Sequence, residues 1–108
     1  MLMGIDMDAA VAPSLLKVLA DPLRWRIVEL LAIEELCVCH LSDELGVAQP
    51  LVSHHLKALR DAEVVTSERW RYWTYYRLNT DRLLHLASRL DLLATKASTA
   101  GTTRRPCC

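Results

Sequence analysis

Residues 39–62 contain two short helical patterns separated by a turn of a few residues, and this arrangement restricts the fold more than any other feature. The first pattern, residues 39–46, ends at Gly46, because glycine readily adopts the left-handed conformation that closes a helix. The second pattern, residues 49–62, has Pro50 in its first turn, where proline fits well. The apolar positions expected to face inward on the second helix are Leu51, Leu56 and Leu59. Two short helices joined in this way predict a helix-turn-helix.

Helical periodicity also occurs before this unit. Residues 8–19 form a short amphipathic pattern, and a second helix is expected to start at Asp21-Pro22 and to end near Glu34. Asp can cap the free backbone N–H groups of a helix, and Pro fits its first turn. The apolar residues expected on the inner faces of these helices are Leu15, Leu16, Val18, Leu19, Leu23, Ile27, Leu30 and Leu31.

The period changes after the helix-turn-helix. Residues 64–67 and 72–78 are rich in β-branched and aromatic side chains, and the charged segment 68–71 separates them, which is typical of a β-hairpin. A last helix is expected over residues 81–96, with Thr80 as its cap. The order helix, helix, helix-turn-helix, hairpin, helix predicts a winged helix-turn-helix that is mainly α with a small β-hairpin.

Length and composition restrict the class of protein. A chain of 108 residues is too short for a TIM barrel or a two-domain dinucleotide enzyme. We expect residues 1–96 to form one domain and the polar residues 97–108 to form a flexible tail. Residues 1–12 carry Asp6 and Asp8 without a basic region, so we do not expect them to be a signal peptide, and no apolar run is near the roughly 20 residues of a membrane span. We therefore expect a cytoplasmic protein without a membrane partner, whose cysteines form no disulfide framework.

The outward face of helix 49–62 carries polar and basic side chains suited to nucleic acid. Glutamine can pair with adenine, serine can contact a base or a phosphate, and lysine and arginine neutralise phosphates. The chain balances 13 basic against 13 acidic residues, so only the arrangement of charge can support such binding. No acidic residue lies between Gln49 and Arg60, which favours contact with DNA. The alternative interpretation of this helix face is an ordinary solvated surface. The outward residues are Gln49, Ser53, His54, Lys57 and Arg60; His55 is expected to be half-buried and structural.

The hairpin concentrates aromatic and basic residues. Five of the six aromatic residues lie within residues 70–76, among Arg69, Arg71 and Arg77. We expect the aromatic side chains Trp73, Tyr75 and Tyr76 to pack on the helices. Arg69 and Arg71 are then the candidates to reach phosphates or a minor groove. The position of Trp70 beside the tip has no explanation from the sequence.

The last helix has an apolar stripe longer than a domain of this size can cover. We therefore expect it to pair with a second copy in a homodimer, the alternative being packing on its own core. Asp81 and His85 stand four residues apart, but without a second such pair a solvated polar face is the better interpretation. The stripe consists of Leu83, Leu86, Ala87, Leu90, Leu93 and Ala94.

The cysteines carry the most specific chemistry. Cys37 and Cys39 lie at a helix start, which favours the thiolate form that binds metals. Two thiolates cannot complete a tetrahedral zinc site, but they can supply two ligands of a three-coordinate trivalent arsenic or antimony site. Cys107 and Cys108 form a second thiol pair on a tail of residues 97–108 that could span about 40 Å, so either protomer's tail could add a third ligand. The alternative interpretation of Cys37 and Cys39 is that they are partly buried small apolar residues without a ligand role.

These residues resemble the ArsR/SmtB family of metal-responsive repressors, in its arsenic-sensing branch. The most specific match is the segment ELCVC (residues 35–39), here called the cysteine box, which resembles the family's metal-binding signature. The resemblance implies a homodimeric winged-helix repressor that binds operator DNA at its own promoter and is released by the metalloid. The four matching stretches are residues 19–31, 35–47, 49–62 and 73–78.

The resemblance also implies roles for individual residues. Cys37 and Cys39 match the first two ligand positions. The positions that match the DNA-facing part of the recognition helix are Gln49, Ser53, His54 and Lys57. His40 and Ser42 stand where this branch often has Asp and a third Cys, so Cys107 or Cys108 is the candidate third ligand.

Other departures leave alternatives open. Glu63 and Arg71 replace glycines that are usual around the wing, and the spacing of the family's last-helix zinc site is absent. A two-thiol site would suit a methylated trivalent arsenical. Cys37, Cys39 and His40 would suit cadmium or lead, and pairing of tail and box cysteines would make a thiol-oxidation sensor. No anion loop adjoins a cysteine, which argues against a thiol enzyme, and the basic wing argues against a pure protein-binding module. We expect no enzyme activity and no required cofactor.

Overall fold

The computed structural model describes residues 7–101 and 104–107, and it contains five helices and a three-stranded antiparallel sheet. Cys108, a predicted ligand, lies outside the described residues. None of the helices in the described ranges is long and apolar enough to cross a membrane. In chain order the elements are α1 (Met7–Leu19), α2 (Pro22–Leu31), β1 (Leu36–Cys37), α3 (Val38–Leu45), α4 (Gln49–Asp61), β2 (Val65–Trp70), β3 (Trp73–Leu78) and α5 (Thr80–Thr99).

The predicted start of α2 is confirmed, but its predicted end is wrong. The Asp21 carboxylate accepts hydrogen bonds from the backbone N–H groups of Leu23 (2.8 Å) and Arg24 (3.1 Å). The bond from Arg24 is the main reason that the pKa of Asp21 is lowered. The helix ends at Leu31, before the predicted Glu34, because the chain turns there and becomes extended.

The extended segment is β1, a strand that the sequence analysis did not predict. It pairs with β3, so that Leu36 lies opposite Tyr76 and Cys37 opposite Tyr75. The strand order is β1-β3-β2, and the predicted hairpin is therefore two strands of a three-stranded sheet. β2 also continues to Trp70, which leaves Arg71 and Tyr72 as a two-residue tip.

Among the residues that the structure describes, two other than glycine have positive φ angles, at the positions where the family resemblance predicts glycine. They are Glu63 (φ 62°), which follows α4, and Arg71 (φ 58°), at the hairpin tip. Such a conformation costs about 1–2 kcal/mol for a residue with a Cβ. The Glu63 carboxylate pairs with Arg82, and its carbonyl accepts a hydrogen bond from Asn79 Nδ2 (2.9 Å). These contacts hold the turn between α4 and β2 to the start of α5.

The core lies where α2, α3 and α4 meet the base of the sheet. Its most deeply buried members are Ile27, Leu41, Val52, Leu56, Leu59, Val64 and Val65. Leu56 and Leu59 face inward as predicted, but Leu51 is 42 % exposed and Val52 takes the inward position. Leu16 is likewise exposed rather than on the inner side of α1. In both places the direction of each side chain follows from how the helix packs, since adjacent apolar residues differ by about 100° around a helix.

The last helix differs from its prediction at both ends. Asn79 rather than Thr80 is the N-cap residue, and its side chain makes no capping hydrogen bond to the first turn of the helix. The helix continues to Thr99, so residues 97–99 belong to α5 and not to the predicted tail. Leu86 is buried, whereas Leu90 and Leu93 are exposed.

A partly buried contact joins α4 to α2. Arg24 Nε donates a hydrogen bond to His55 Nδ1 (3.0 Å), so His55 accepts at Nδ1. His55 is 8 % exposed, which is more deeply buried than the half-buried position that the sequence predicted. Burial lowers the pKa of His55 below its ordinary value of 6.5, and the charges of Arg24 and His54 act in the same direction. The Asp21 carboxylate opposes this shift.

The lowered pKa of His55 predicts that the free energy of unfolding falls as the pH falls below 6.5. Between that pH and the lower folded-state pKa, His55 is protonated in the unfolded chain and not in the folded one, so acid favours unfolding. Urea unfolding at about pH 7.5 and about pH 5.5 should therefore give a smaller stability difference for His55→Gln than for wild type. His54→Gln, at an exposed neighbouring position, is the matched control, and it should keep most of the wild-type difference because the His54 charge is the smallest of the causes that lower the pKa of His55. Equal differences for wild type and His55→Gln would contradict this prediction.

Candidate nucleic-acid interface and cysteine box

The outward face of α4 presents the side chains that the sequence analysis selected. Gln49, Ser53, His54 and Lys57 are all exposed, because the buried residues of α4 lie on its opposite side. Lys57 Nζ pairs with Asp61 at 3.0 Å, and both side chains are well exposed. An exposed pair of this kind contributes little to stability, so Lys57 can exchange Asp61 for a phosphate at small cost.

The hairpin continues this face. Arg60 Nη1, in the last turn of α4, donates to Ser67 Oγ of β2 at 3.4 Å. Arg69 and Arg71 are exposed near the tip as predicted, and Arg69 Nε donates to the Arg71 carbonyl (3.4 Å). These basic side chains form one exposed stretch that runs from α4 onto the wing.

The aromatic residues of the hairpin only partly follow their prediction. Tyr76 packs against the core and Tyr75 is half-buried. Trp73, predicted to pack on the helices, is 46 % exposed instead. It pairs with Trp70 at the last position before the tip, beyond the reach of the core. Trp70 and Trp73 therefore stack on one another rather than on a helix.

The cysteine box lies at the junction of β1 and α3. Cys37 is buried and is the N-cap residue of α3, and Cys39 is exposed in the first turn. His40 Nδ1 lies 3.3 Å from the Cys37 backbone nitrogen, which donates to it, and 3.3 Å from Cys37 Sγ. The structure thus brings His40 beside one of the two predicted ligands.

The box contacts both elements of the proposed DNA face. Gln49 Nε2, at the start of α4, donates to Cys39 Sγ at 3.5 Å. Cys37 pairs with Tyr75 in the sheet, and the His40 ring lies 6.4 Å from the Tyr75 ring. Neither the pairing of Cys37 with Tyr75 nor the contact of Gln49 with Cys39 was predicted from the sequence. Nothing in the local pattern indicates them, because both contacts join residues ten or more positions apart.

The tail cysteine lies apart from the box. Cys107 is exposed and free, in a described segment without regular secondary structure. Within residues 7–101 and 104–107, no three His, Cys, Asp or Glu side chains of one chain form a cluster able to hold a metal ion. The predicted third thiolate is therefore not beside Cys37 and Cys39 in this conformation of a single chain.

An apolar groove lies between α1 and α5. Its lining includes Ala12, Pro13 and Leu16 of α1 and Leu90, Leu92 and Leu93 of α5, with Arg89 and Lys96 at its edges. Leu93 is 63 % exposed although it belongs to the predicted stripe. On the same helix, Asp81 is exposed and His85 half-buried.

Comparison with known proteins assigns the chain to a family. Residues 21–67 match the family described as bacterial regulatory protein, arsR family. The chain is 40 % identical over 82 residues to an arsenical resistance operon repressor from Staphylococcus xylosus, covering 76 % of this chain and 79 % of that protein. It is 47 % identical over 83 residues to the HTH-type transcriptional repressor SmtB of Mycobacterium tuberculosis, covering 77 % of this chain and 60 % of that protein.

A solved structure supports the fold. The homodimeric winged helix-turn-helix DNA-binding domain of a possible ArsR-family regulator from Mycobacterium bovis aligns with a TM-score of 0.65 at 24 % identity, covering 97 % of this chain and all (100 %) of that one. The predicted winged helix-turn-helix is thus confirmed. By sequence, the chain belongs to the ArsR/SmtB family of transcriptional repressors, which are DNA-binding regulators and not enzymes.

Proposed function

We propose that this repressor binds its operator as a homodimer through α4 and the wing, and that trivalent arsenic or antimony bound to its cysteine thiolates releases it. One observation carries this proposal: Cys39 contacts Gln49 of α4, while Cys37 belongs to the strand that pairs with the wing. A ligand that bridges the two sulfurs therefore acts on both DNA-facing elements. The arsenical resistance name of the Staphylococcus xylosus relative supports the choice of metalloid.

The DNA contacts divide into two kinds. Gln49 and Ser53, at the start of α4, are suited to base edges in the major groove. Lys57, Arg69 and Arg71 are suited to phosphates, or to the minor groove in the case of the wing. His54 stands between these groups on the same exposed face. Because the whole chain has no net charge, this local excess of basic groups supplies the electrostatic attraction.

The phosphate role of Lys57 is tested by the salt dependence of binding to a duplex from the protein's own promoter. Lys57→Ala should weaken binding to operator and to unrelated DNA alike, and should reduce the slope of log affinity against log salt by about 1. Lys17→Ala, an exposed lysine of α1, is the matched control and should bind as wild type does. Wild-type affinity and salt slope in Lys57→Ala would exclude this role.

The apolar groove between α1 and α5 supports the proposed dimer. Leu16, Leu90 and Leu93 remain exposed in a single chain, and burying them against a second copy removes this apolar surface from water. A two-fold dimer also places two recognition helices on successive half-sites of a palindromic operator.

Leu93→Asp should make the protein monomeric in sedimentation equilibrium and weaken operator binding, since it places a charge in the apolar interface. Ser88→Asp changes an exposed position of the same helix outside the groove, and it should remain dimeric. A Leu93→Asp protein that is as dimeric as Ser88→Asp would show that this groove is not the interface.

The inducer site starts from two thiolates. Arsenite reacts with each thiol by forming an As–S bond while the thiol proton and an arsenic-bound hydroxyl leave as water. Trivalent arsenic and antimony are satisfied by three soft ligands, which matches a site of Cys37 and Cys39 plus one further thiolate. Cys107 or Cys108, from the same tail or from the partner's tail, is the proposed third ligand. A second candidate inducer is a methylated trivalent arsenical, because only two thiols lie together in the box.

The coupling to DNA requires that the inducer bind more tightly to the form that does not bind DNA. Cys37 is held by the sheet, whereas Cys39 lies in the first turn of α3 next to Gln49. Drawing the two sulfurs onto one arsenic atom therefore distorts that turn, removes the sulfur from Gln49 and shifts α4 relative to the wing. A coupling of about 1–3 kcal/mol would lower operator affinity roughly 5–150-fold.

Fluorescence anisotropy of operator-bound protein, in reductant, tests this mechanism. Arsenite should release wild type, while Cys37→Ser should bind DNA normally and stay bound. A double serine variant at Cys107 and Cys108 should also stay bound if the tail supplies the third ligand; if it responds normally, the site has only two protein thiolates. Normal release of Cys37→Ser by arsenite would overturn the proposed inducer site.

A further inference from the structure

The tip of the wing carries an exposed aromatic cluster that the proposed contacts leave unused. Trp70 is 54 % exposed, Tyr72 89 % and Trp73 46 %. The Trp70 and Trp73 rings stack with their centroids 6.5 Å apart, and Tyr72 meets Trp73 edge-on at 6.2 Å. These contacts arrange the three rings in advance but leave much of their surface in water. A preformed aromatic surface of this kind is suited to stacking on a flat partner.

The cluster carries two arginines near the tip, although Glu35 and Glu68 line a pocket with Trp70 on one side of it. The Arg71 guanidinium lies 4.6 Å from the centre of the Trp70 ring, and Arg69 Nε donates to the Arg71 carbonyl. Across the hairpin, Arg69, Arg71 and Arg77 outnumber a single acid, Glu68. The partner of this surface should therefore combine flat apolar rings with negative charge. A second copy of the chain does not, since it would bring the same arginines together.

The wing that carries the cluster is joined to α4, although Trp70 lies on the opposite side of β2 from Ser67, because side chains alternate along a strand. The bond from Arg60 to Ser67 ties the wing to the end of α4. Three further residues of extended strand carry Trp70 about 10 Å beyond Ser67. That reach is comparable to the roughly 7.5 Å depth of a minor groove. A duplex that lies against α4 would therefore meet the wing tip at the adjacent groove.

We propose that the wing tip is a wedge that enters the minor groove of the operator and bends the duplex. In this arrangement Tyr72 and Trp70 pack against a partly unstacked base step, and Arg69 and Arg71 neutralise the phosphates on either side. Inserted side chains of this type kink DNA, and base–aromatic stacking offsets the cost of opening the step. The inference rests on the proposed docking of α4 in the operator. It implies that operator affinity also depends on how easily the DNA sequence under the wing can be bent.

The experiment combines three readouts on one duplex from the protein's own promoter. Energy transfer between dyes at the two ends measures bending, permanganate reactivity of thymines detects unstacked steps, and anisotropy gives affinity. With wild type we expect a bent duplex and newly reactive thymines beside the α4 footprint. Tyr72→Ala should straighten the duplex, remove that reactivity and weaken binding on the order of tenfold.

Two further variants serve as matched controls. Tyr72→Phe keeps the ring and should bend DNA as wild type does. Trp25→Ala removes an exposed aromatic side chain of α2, away from the wing, and should leave all three readouts unchanged. Because Tyr72 is at the exposed tip, its removal should leave the thermal unfolding temperature nearly unchanged, so a loss of bending is not a loss of folding.

The outcomes separate this inference from the function on which it rests. A wild-type complex that depends on Lys57 but leaves the duplex straight and its thymines unreactive overturns the wedge and keeps the repressor. A bend that persists in Tyr72→Ala also overturns it. If wild type does not bind the promoter duplex at all, the proposed DNA face fails together with the wedge. If Tyr72→Ala changes only self-association, the cluster is a protein contact, which again overturns the wedge.

Discussion

The burial of the inner side of α4 is the interaction on which the rest of the structure depends. Val52, Leu56 and Leu59 are almost completely buried between α2, α3 and the base of the sheet. Because a helix is rigid, burying this side determines the direction of the opposite side. Core packing, and not contacts made by the polar side chains themselves, therefore turns the face from Gln49 to Lys57 towards solvent. The bond from Arg24 to His55 adds a directional constraint to this packing.

The cysteine box contacts the sheet through Cys37 and α4 through Cys39, and the first contact is the more rigid. Cys37 is buried and belongs to a strand, so its backbone is held by the sheet. Cys39 is exposed, and its sulfur meets α4 only through a side-chain contact with Gln49. A ligand that joins the two sulfurs should therefore displace Cys39 and the first turn of α3 rather than Cys37 and the sheet. The asymmetry of burial therefore gives the proposed switch its direction.

Two positions show how the wing tolerates local strain. Glu63 and Arg71 occupy left-handed conformations without being glycine. At Glu63 the ion pair with Arg82 and the bond from Asn79 compensate by joining α4 to α5. At Arg71 the guanidinium lies over Trp70, so the unusual backbone places a cation on the aromatic cluster. In both cases a side-chain contact stabilises a conformation that the residue alone disfavours.

The sequence by itself determined the five helices, the hairpin and the outward face of α4, because each is set by local periodicity or by a cap such as Asp21 and Gly46. It also located the C-x-C pair at a helix start. Only the tertiary structure decided that Val52 rather than Leu51 faces inward, that residues 36–37 form a strand, and that Trp73 stacks on Trp70. It alone joined Cys39 to Gln49. The physical reason is common to these cases: a two-residue strand has no period, and neighbouring apolar residues are distinguished only by the distant surfaces against which they pack.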